Sequence, residues 1–279
     1  MATTTDSPVI LITGCSSGFG RQIAQEALRR GLRVIATARR LETLADLRGK
    51  GAEILSLDIT IDQGSLRIFA EEAIKMFGQV DILVNNAGYF QGGAVEEVSP
   101  EQFRAQFETN LFGTVNVTNA FLPHFRERRA GLIANISSMG GYFAYPGSGV
   151  YGATKAALDY MSKAWAKELA PFNIRAVSIN AGQFRTSMGY NMKVPSEQID
   201  CYEESHAVLE DYRASCGEVP GDTGKAAKKI LDFITSDGEL PSRLALGEDA
   251  VALLDLEIEK EVKDMEKWRE FGKGTNVDG

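Results

Sequence analysis

The chain has 279 residues, of which 44% are hydrophobic, and a net charge of −8. This length fits one α/β domain with a buried core, and the acidic balance argues against nonspecific nucleic-acid binding. Three widely spaced cysteines and two isolated histidines argue against a disulfide framework and a metal site. Because no signal peptide and no apolar run of about 20 residues is present, we expect a cytoplasmic protein without a membrane span.

Short apolar runs alternate with helical patterns along the chain. The predicted strands are residues 9–13, 33–38, 53–57, 80–84, 132–136, 174–179 and 243–246. The predicted helices are residues 18–30, 41–49, 61–77, 103–129, 151–170, 221–236 and 250–271. This alternation predicts an α/β fold in which helices cover both faces of a parallel sheet.

Two segments depart from that alternation. Residues 182–220 are rich in polar side chains, and we expect short helices there over the mouth of an active site. The alternative is a surface excursion that serves packing only. The terminal helix alternates Glu and Lys, which indicates a solvated face, with a subunit contact as the alternative.

A glycine-rich turn at residues 13–20 joins the first strand to the first helix. Its spacing is G-x-x-x-G-x-G, which differs from the G-x-G-x-x-G of the standard dinucleotide fingerprint. Glycines there let the backbone approach a pyrophosphate at a helix N-terminus, although a tight turn alone is the alternative. The candidate cofactor contacts are Gly14, Ser16, Ser17, Gly18, Phe19 and Gly20.

The end of the second strand discriminates between the two nicotinamide cofactors. An NAD enzyme usually places a carboxylate there, whereas this chain has Ala-Arg-Arg at residues 38–40. A guanidinium matches a 2′-phosphate, so we predict NADP(H) with Arg39 as the main contact. Arg40 alternatively begins an exposed helix. Further contacts are expected after the third and fourth strands, from Asp58, Ile59, Asn86, Ala87 and Gly88. Asn86 alternatively buttresses the sheet.

Tyr151 and Lys155 lie four residues apart within a predicted helix and therefore share one face. The lysine charge favours the ionised phenol, so we expect the pKa of Tyr151 to lie below its usual value of about 10. Such a pair is a proton-transfer unit, and Ser138 lies upstream of it.

Together these motifs resemble the short-chain dehydrogenase/reductase family. The TGxxxGxG, NNAG and YxxxK motifs of that family occur at residues 13–20, 85–88 and 151–155, and Ser138 precedes Tyr151 by the typical spacing. The resemblance covers about residues 9–249. It implies one Rossmann-type domain over residues 1–279 with a seven-stranded parallel sheet. It also implies a substrate loop at 183–220, and residues 250–279 are then a C-terminal helical extension.

The resemblance also implies catalytic roles. Tyr151 is the general acid in reduction and the base in oxidation, while Lys155 binds the nicotinamide ribose and lowers the pKa of the tyrosine. Ser138 hydrogen-bonds the substrate oxygen, and Asn110 holds a water of the proton relay. This assignment agrees with hydride transfer to a carbonyl, which builds charge on the oxygen that hydrogen-bond donors stabilise.

The chain departs from the family pattern beside the nicotinamide. The usual Pro-Gly after the sixth strand is Ala181-Gly182, so the turn is less fixed, although Gly182 still permits close approach. Thr186 is expected to reach the carboxamide or phosphate. The glycine turn carries serines where many NADP-preferring members carry a basic residue, which leaves the 2′-phosphate to Arg39 and hydroxyls.

Aromatic residues follow the catalytic elements and suit a bulky, flat or lipophilic carbonyl or alcohol, although each alternatively packs in the core. The candidate pocket residues are Tyr89, Phe90, Gln91, Met139, Gly140, Gly141, Tyr142, Phe143, Tyr145, Gln183 and Phe184.

The resemblance implies an NADP(H)-dependent carbonyl reductase or alcohol dehydrogenase with a small-molecule substrate. The chain is similar to hydroxysteroid- and retinol-dehydrogenase-like members and to reductases of secondary metabolism. An epimerase or dehydratase on the same fold is one alternative. A binding protein that senses NADP(H) is another, which the intact Tyr151 and Lys155 disfavour. The resemblance further implies a homodimer or homotetramer that pairs the Tyr151 helix and the 103–129 helix with their copies.

Overall fold

The computed structural model describes residues 7–277 and contains one parallel sheet in the order β3-β2-β1-β4-β5-β6-β7. Its strands are Val9–Ile12 (β1), Arg33–Ala38 (β2), Glu53–Ser56 (β3), Ile82–Asn85 (β4), Gly131–Ser138 (β5), Ile174–Ala181 (β6) and Arg243–Leu246 (β7). The seven-stranded parallel sheet expected from the sequence is confirmed. The first strand lies between β2 and β4, so the connections reverse direction there, and a crevice opens at the carboxyl ends of these strands.

Helices cover both faces of this sheet. They are Gly18–Arg29 (α1), Ala45–Gly49 (α2), Gln63–Phe77 (α3), Pro100–Phe107 (α4), Thr114–Arg128 (α5), Gly149–Glu168 (α6), Glu203–Ser215 (α7), Thr223–Ile234 (α8) and Glu248–Trp268 (α9). Alternate residues of β1 pack in different hydrophobic cores. Ile10 and Ile12 pack in the core that includes residues of α1 and α8. Val9 and Leu11 pack in the core that includes residues of α3 and α5. The alternation follows from the period of two in a strand, and it buries both faces.

The long helical stretch predicted over residues 103–129 is confirmed, although it is not one regular α-helix. Two α-helices, α4 and α5, are joined by a π-helical segment, Glu108–Gly113. Gly113 packs tightly there, since a Cβ on it would lie 2.8 Å from the carbonyl oxygen of Ile59. A capping box between Ser99 and Gln102, followed by a proline in the first turn, also begins α4 earlier than predicted.

The segment between β6 and α8 crosses the sheet edge above the crevice. A short 3₁₀ turn, Asp200–Tyr202, and then α7 lie within it. The backbone bridges Gln91 to Lys193, and His206 of α7 forms a 2.6 Å contact with Glu97 of the loop after β4. These contacts hold the segment over the carboxyl ends of the strands.

The last helix, α9, buries apolar side chains only in its first turns. Ala250 and Leu254 are buried, whereas Ile258, Val262 and Trp268 are exposed. Within residues 7–277, no helix combines the length and the apolar character that a membrane crossing requires.

Candidate active site

A cavity of about 950 Å³ lies at the carboxyl ends of β1, β4, β5 and β6, where doubly wound sheets usually bind ligands. It brings together most of the predicted site residues: Gly14, Ser16, Ser17, Gly18, Phe19, Arg39, Asp58, Ile59, Asn86, Ala87, Gly88, Phe90, Ser138, Met139, Gly140, Tyr145, Tyr151, Lys155, Gly182, Gln183, Phe184 and Thr186. Six predicted residues do not line it: Gly20, Gln91, Asn110, Gly141, Tyr142 and Phe143.

Hydrogen bonds join the glycine turn to the end of β4. The Thr13 hydroxyl accepts from the backbone N–H groups of Asn86 (2.9 Å) and Ala87 (3.0 Å). The Asn86 amide in turn donates to the carbonyl oxygens of Thr13 (2.9 Å) and Gly14 (3.1 Å). Asn86 therefore fixes the turn as well as lining the cavity.

Three glycines give this turn its shape. Gly14 (φ +73°) and Gly18 (φ +56°) adopt left-handed conformations, which favour glycine. A Cβ on Gly14 would lie 2.9 Å from the Cα of Ala87, and one on Gly20 would lie 2.5 Å from the Gly14 oxygen. Gly20 thus lies behind the cavity and permits close packing. The exposed backbone and the start of α1 fit a pyrophosphate.

The other end of the predicted cofactor site carries Arg39 and Asp58. Arg39 and Arg40 are both exposed and both line the cavity, and Arg40 also lies 3.9 Å from the Glu42 carboxylate. Asp58 accepts from the backbone N–H (3.0 Å) and hydroxyl (2.7 Å) of Thr60, and these bonds hold the pKa of Asp58 below its usual range. Arg39 adds to this effect through its positive charge. The guanidinium is therefore available to an anionic group.

The predicted contacts after β6 meet the glycine turn. The hydroxyl of Ser187 hydrogen-bonds that of Ser17 at 3.1 Å, and the Thr186 side chain lies beside Gly18. Phe184, which the sequence suggested for the substrate pocket, instead packs edge-on against Phe19 with ring centroids 5.1 Å apart. Phe184 therefore forms part of the wall near the glycine turn.

Tyr151 and Lys155 project from one face of α6, as predicted. The Lys155 Nζ donates to the carbonyl oxygen of Ile136 at 2.8 Å and lies 5.7 Å from the centroid of the Tyr151 ring. The Ser138 hydroxyl accepts from the N–H of Gly140 at 3.1 Å. A Cβ on Gly140 would lie 3.4 Å from that hydroxyl and 3.6 Å from the Tyr151 ring, so this glycine leaves space between Ser138 and Tyr151.

The predicted lowering of the Tyr151 pKa is wrong in this structure. Burial raises the pKa of Tyr151 above its ordinary value, and a hydrogen bond with Ser138 only partly opposes this. Burial also lowers the pKa of Lys155 to about 8, against the attraction of Asp159. Removal from water disfavours both charged forms, and the ammonium is directed to a carbonyl oxygen.

Asn110 lies behind the cavity in the π-helical segment. Its amide oxygen accepts from the N–H of Tyr89 (3.1 Å), and its nitrogen donates to the Tyr89 oxygen (2.9 Å) and the Thr154 hydroxyl (3.3 Å). Asn110 therefore fixes the loop after β4 onto α6. Its role in a proton relay stays a prediction.

The pocket roles expected for Gln91 and Tyr142 are wrong. The Gln91 side chain is buried and donates to the carbonyl oxygen of Gly92 at 3.0 Å, because the backbone bridge to Lys193 turns it inward. The Tyr142 hydroxyl donates to Glu261 of α9 at 3.0 Å, and the Arg243 guanidinium lies 4.9 Å from its ring. Tyr142 thus holds the C-terminal helix.

Sequence reasoning missed most of the opposite wall of the pocket. Phe90 packs against Tyr151 (4.6 Å between centroids) and against Tyr212 of α7 (5.6 Å). Leu209, also from α7, and Met188 belong to an apolar cluster around the Tyr151 phenol. The long connection after β6 separates Met188, Leu209 and Tyr212 from the motifs, so local spacing did not identify them.

The family model described as short chain dehydrogenase matches residues 8–196. A 3-ketodihydrosphingosine reductase of Bacteroides thetaiotaomicron is 40% identical over 231 residues, which cover 80% of this chain and 83% of the relative.

Solved structures give the same result over a longer stretch. A short-chain dehydrogenase from Streptomyces avermitilis matches with a TM-score of 0.88 and 39% identity, covering 98% of this chain and 99% of its own. A variant of actinorhodin polyketide ketoreductase, solved with NADPH, matches with a TM-score of 0.72 and 29% identity. That match covers 88% of this chain and 97% of the ketoreductase.

Proposed function

Because this chain belongs to the short-chain dehydrogenase family, we propose that it is an NADP(H)-dependent oxidoreductase. It interconverts a ketone or aldehyde with the corresponding alcohol on a bulky, lipophilic or aromatic substrate. The observation that carries this proposal is the shared cavity, in which the glycine turn, Arg39, Ser138, Tyr151 and Lys155 meet.

The residues of the cavity fit the cofactor along its length. The glycine turn and the start of α1 would hold the pyrophosphate, and Asp58 the adenine. Arg39 would hold the 2′-phosphate, since a guanidinium matches phosphate geometry. Lys155, Gly182 and Thr186 line the other end. The NADPH in the matching ketoreductase structure supports this assignment.

When bound, NADPH would supply the hydride. The residues of this chain would stabilise the charge that develops on the substrate oxygen. Tyr151 is a neutral phenol near pH 7, because burial raises its pKa, and a neutral phenol can donate a proton. The Ser138 hydroxyl is a second donor beside it. Lys155, with a pKa of about 8, is mostly charged near pH 7 and stabilises the phenolate that the transfer leaves.

The apolar cluster around Tyr151 supports the substrate class. Phe90, Leu209, Tyr212 and Met188 surround the phenol, so a substrate carbonyl that reaches Tyr151 must pack against them. Two proteins similar to this one are named a 3-ketodihydrosphingosine reductase and a polyketide ketoreductase, and both names describe reduction of a ketone.

A fluorescence titration with NADPH and NADH, followed by turnover with aromatic and polycyclic ketones, tests the proposal. We expect selective binding of NADPH and consumption of cofactor with at least one bulky ketone. Tight NADPH binding without turnover on any ketone or alcohol would instead identify a cofactor sensor. Product formation without net change in nicotinamide absorbance would identify an epimerase or dehydratase.

The proposal includes a homodimer or homotetramer. Tyr160 on α6 is 75% exposed and Phe112 in the π-helical segment is 49% exposed, so both helices present an aromatic side chain that a copy of the chain could cover. We propose that copies pair through these helices. Light scattering on the purified protein is expected to give a multiple of the chain mass, and a monomer at micromolar concentration would contradict this part.

The proposal also places the protein in a reducing compartment such as the cytoplasm. The thiols of Cys15, Cys201 and Cys216 are all free. Disulfides are rare where glutathione and thioredoxin keep thiols reduced. Fractionation of the source cells, with detection of the chain, tests this placement.

A further inference from the structure

The turn that leaves β6 is tied to the beginning of α9. The N–H of Gly182 donates to the carbonyl oxygen of Leu246 at 2.8 Å. The N–H of Gln183 donates to the Asp249 carboxylate at 2.6 Å. Both Gly182 and Gln183 line the cavity. One carboxylate from the C-terminal region therefore fixes a backbone segment of the proposed cofactor site.

The Asp249 carboxylate occupies a space made by two glycines. A Cβ on Gly182 would overlap the carboxylate, and one on Gly247 would lie 2.6 Å from Oδ1. Gly247 also adopts φ +112°, a conformation that favours glycine and turns the chain from β7 into α9. The close packing leaves the carboxylate little freedom to move.

The base of α9 is itself anchored beside the site. Ala250, the next residue, is fully buried in a cluster with Met139, which follows Ser138 at the end of β5. Burial raises the pKa of Tyr145 to about 12, and the negative charge of Asp249 acts in the same direction. Asp249 is thus held between the turn after β6 and the residues that follow β5.

We propose that Asp249 is the positioning residue for the turn at residues 181–183 and, through that turn, for the nicotinamide half of the cofactor. The turn contains no proline to fix its backbone. A charge-assisted hydrogen bond to a main-chain N–H takes over that function, because it is short and directional. This inference rests on the proposed function, since it needs a nicotinamide cofactor in the cavity.

The test compares three variants by isothermal titration with NADPH and with 2′,5′-ADP. The second ligand contains the adenosine and the 2′-phosphate but no nicotinamide. Asp249→Ala removes the acceptor, whereas Asp249→Asn keeps an acceptor oxygen of the same size. Glu248→Ala is the matched control, because it removes an exposed carboxylate from the same helical turn.

We expect Asp249→Ala to raise the Kd for NADPH about tenfold, which corresponds to about 1.4 kcal/mol. Its Kd for 2′,5′-ADP is expected to match the wild type. Asp249→Asn keeps a neutral acceptor and is expected to lose less affinity for NADPH than Asp249→Ala. Amide hydrogen exchange in residues 182–186 is expected to speed up in Asp249→Ala alone.

Three results would overturn the inference. They are an unchanged NADPH affinity in Asp249→Ala, an equal loss of affinity for both ligands, and an equal loss in Glu248→Ala. A wild-type protein that binds neither NADPH nor NADH would instead overturn the proposed function, and the inference with it. The two failures are therefore distinguishable.

Discussion

Lys155→Met is expected to make the ligand-free protein more stable near neutral pH. The Lys155 side chain is 5% exposed, and its Nζ donates to one carbonyl oxygen, that of Ile136. Burial lowers the folded-state pKa of Lys155 from 10.5 to about 8, so the folded protein holds this proton less tightly than the unfolded chain. The native state is therefore penalised below the folded pKa, and the penalty is relieved as the pH rises from about 8 to 10.5.

The lowered pKa of Lys155 gives the size of the expected gain in free energy of unfolding. Lowering the pKa of Lys155 from 10.5 to about 8 corresponds to about 3 kcal/mol of free energy of unfolding. Methionine is unbranched and of similar length, but it leaves the Ile136 oxygen without its donor, which costs about 1 kcal/mol. The net expected gain is about 2 kcal/mol near pH 7.

Urea unfolding of both proteins at about pH 7 and about pH 9.5 is the assay. We expect the variant to exceed the wild type in free energy of unfolding by about 2 kcal/mol less at the higher pH. The reason is that Lys155 of the folded wild type loses its charge over that range. Lys163→Met, at an exposed position of the same helix, is the control and is expected to show no such pH dependence. A variant less stable than wild type near pH 7, or a difference independent of pH, would refute this reasoning.

Two further substitutions probe the ends of the cavity. Arg39→Asp is expected to shift the ratio of kcat/KM values from NADPH toward NADH by at least about tenfold, because a carboxylate repels the 2′-phosphate; an unchanged ratio would show that other groups bind the phosphate. Tyr212→Ala is expected to raise KM about tenfold for a bulky aromatic ketone and little for a small one, because an aromatic wall is lost. Tyr202→Ala is the control, since the Tyr202 hydroxyl bonds Glu96 outside the cavity, and equal effects in the two variants would contradict this assignment.

The predictable parts of the site are those that the local spacing of residues in the sequence determines. The glycine turn and the pair of Tyr151 and Lys155 are read from neighbouring residues, and the structure places the pair and most of the turn at one cavity. The parallel sheet follows equally from the alternation of strands and helices. Arg39 was found because it directly follows a predicted strand.

The remaining features depend on residues far apart in sequence. The direction of the Tyr151 pKa is set by burial among side chains of the β4 loop and α7, and spacing on one helix carries no measure of that burial. Tyr142 lies outside the pocket because its hydroxyl donates to Glu261 and its ring packs against the Arg243 guanidinium. Asp249 lies 66 residues from Gln183, its backbone partner, and no motif marks it.

Turnover by Tyr151→Phe at saturating NADPH tests the central claim most directly. The substitution removes one hydroxyl and leaves the ring that packs against Phe90. We predict that NADPH binds with wild-type affinity while ketone reduction falls at least about 100-fold, the usual contribution of a positioned general acid. A variant that keeps more than about a tenth of the wild-type kcat would contradict the role of Tyr151, and with it the mechanism that the cavity supports.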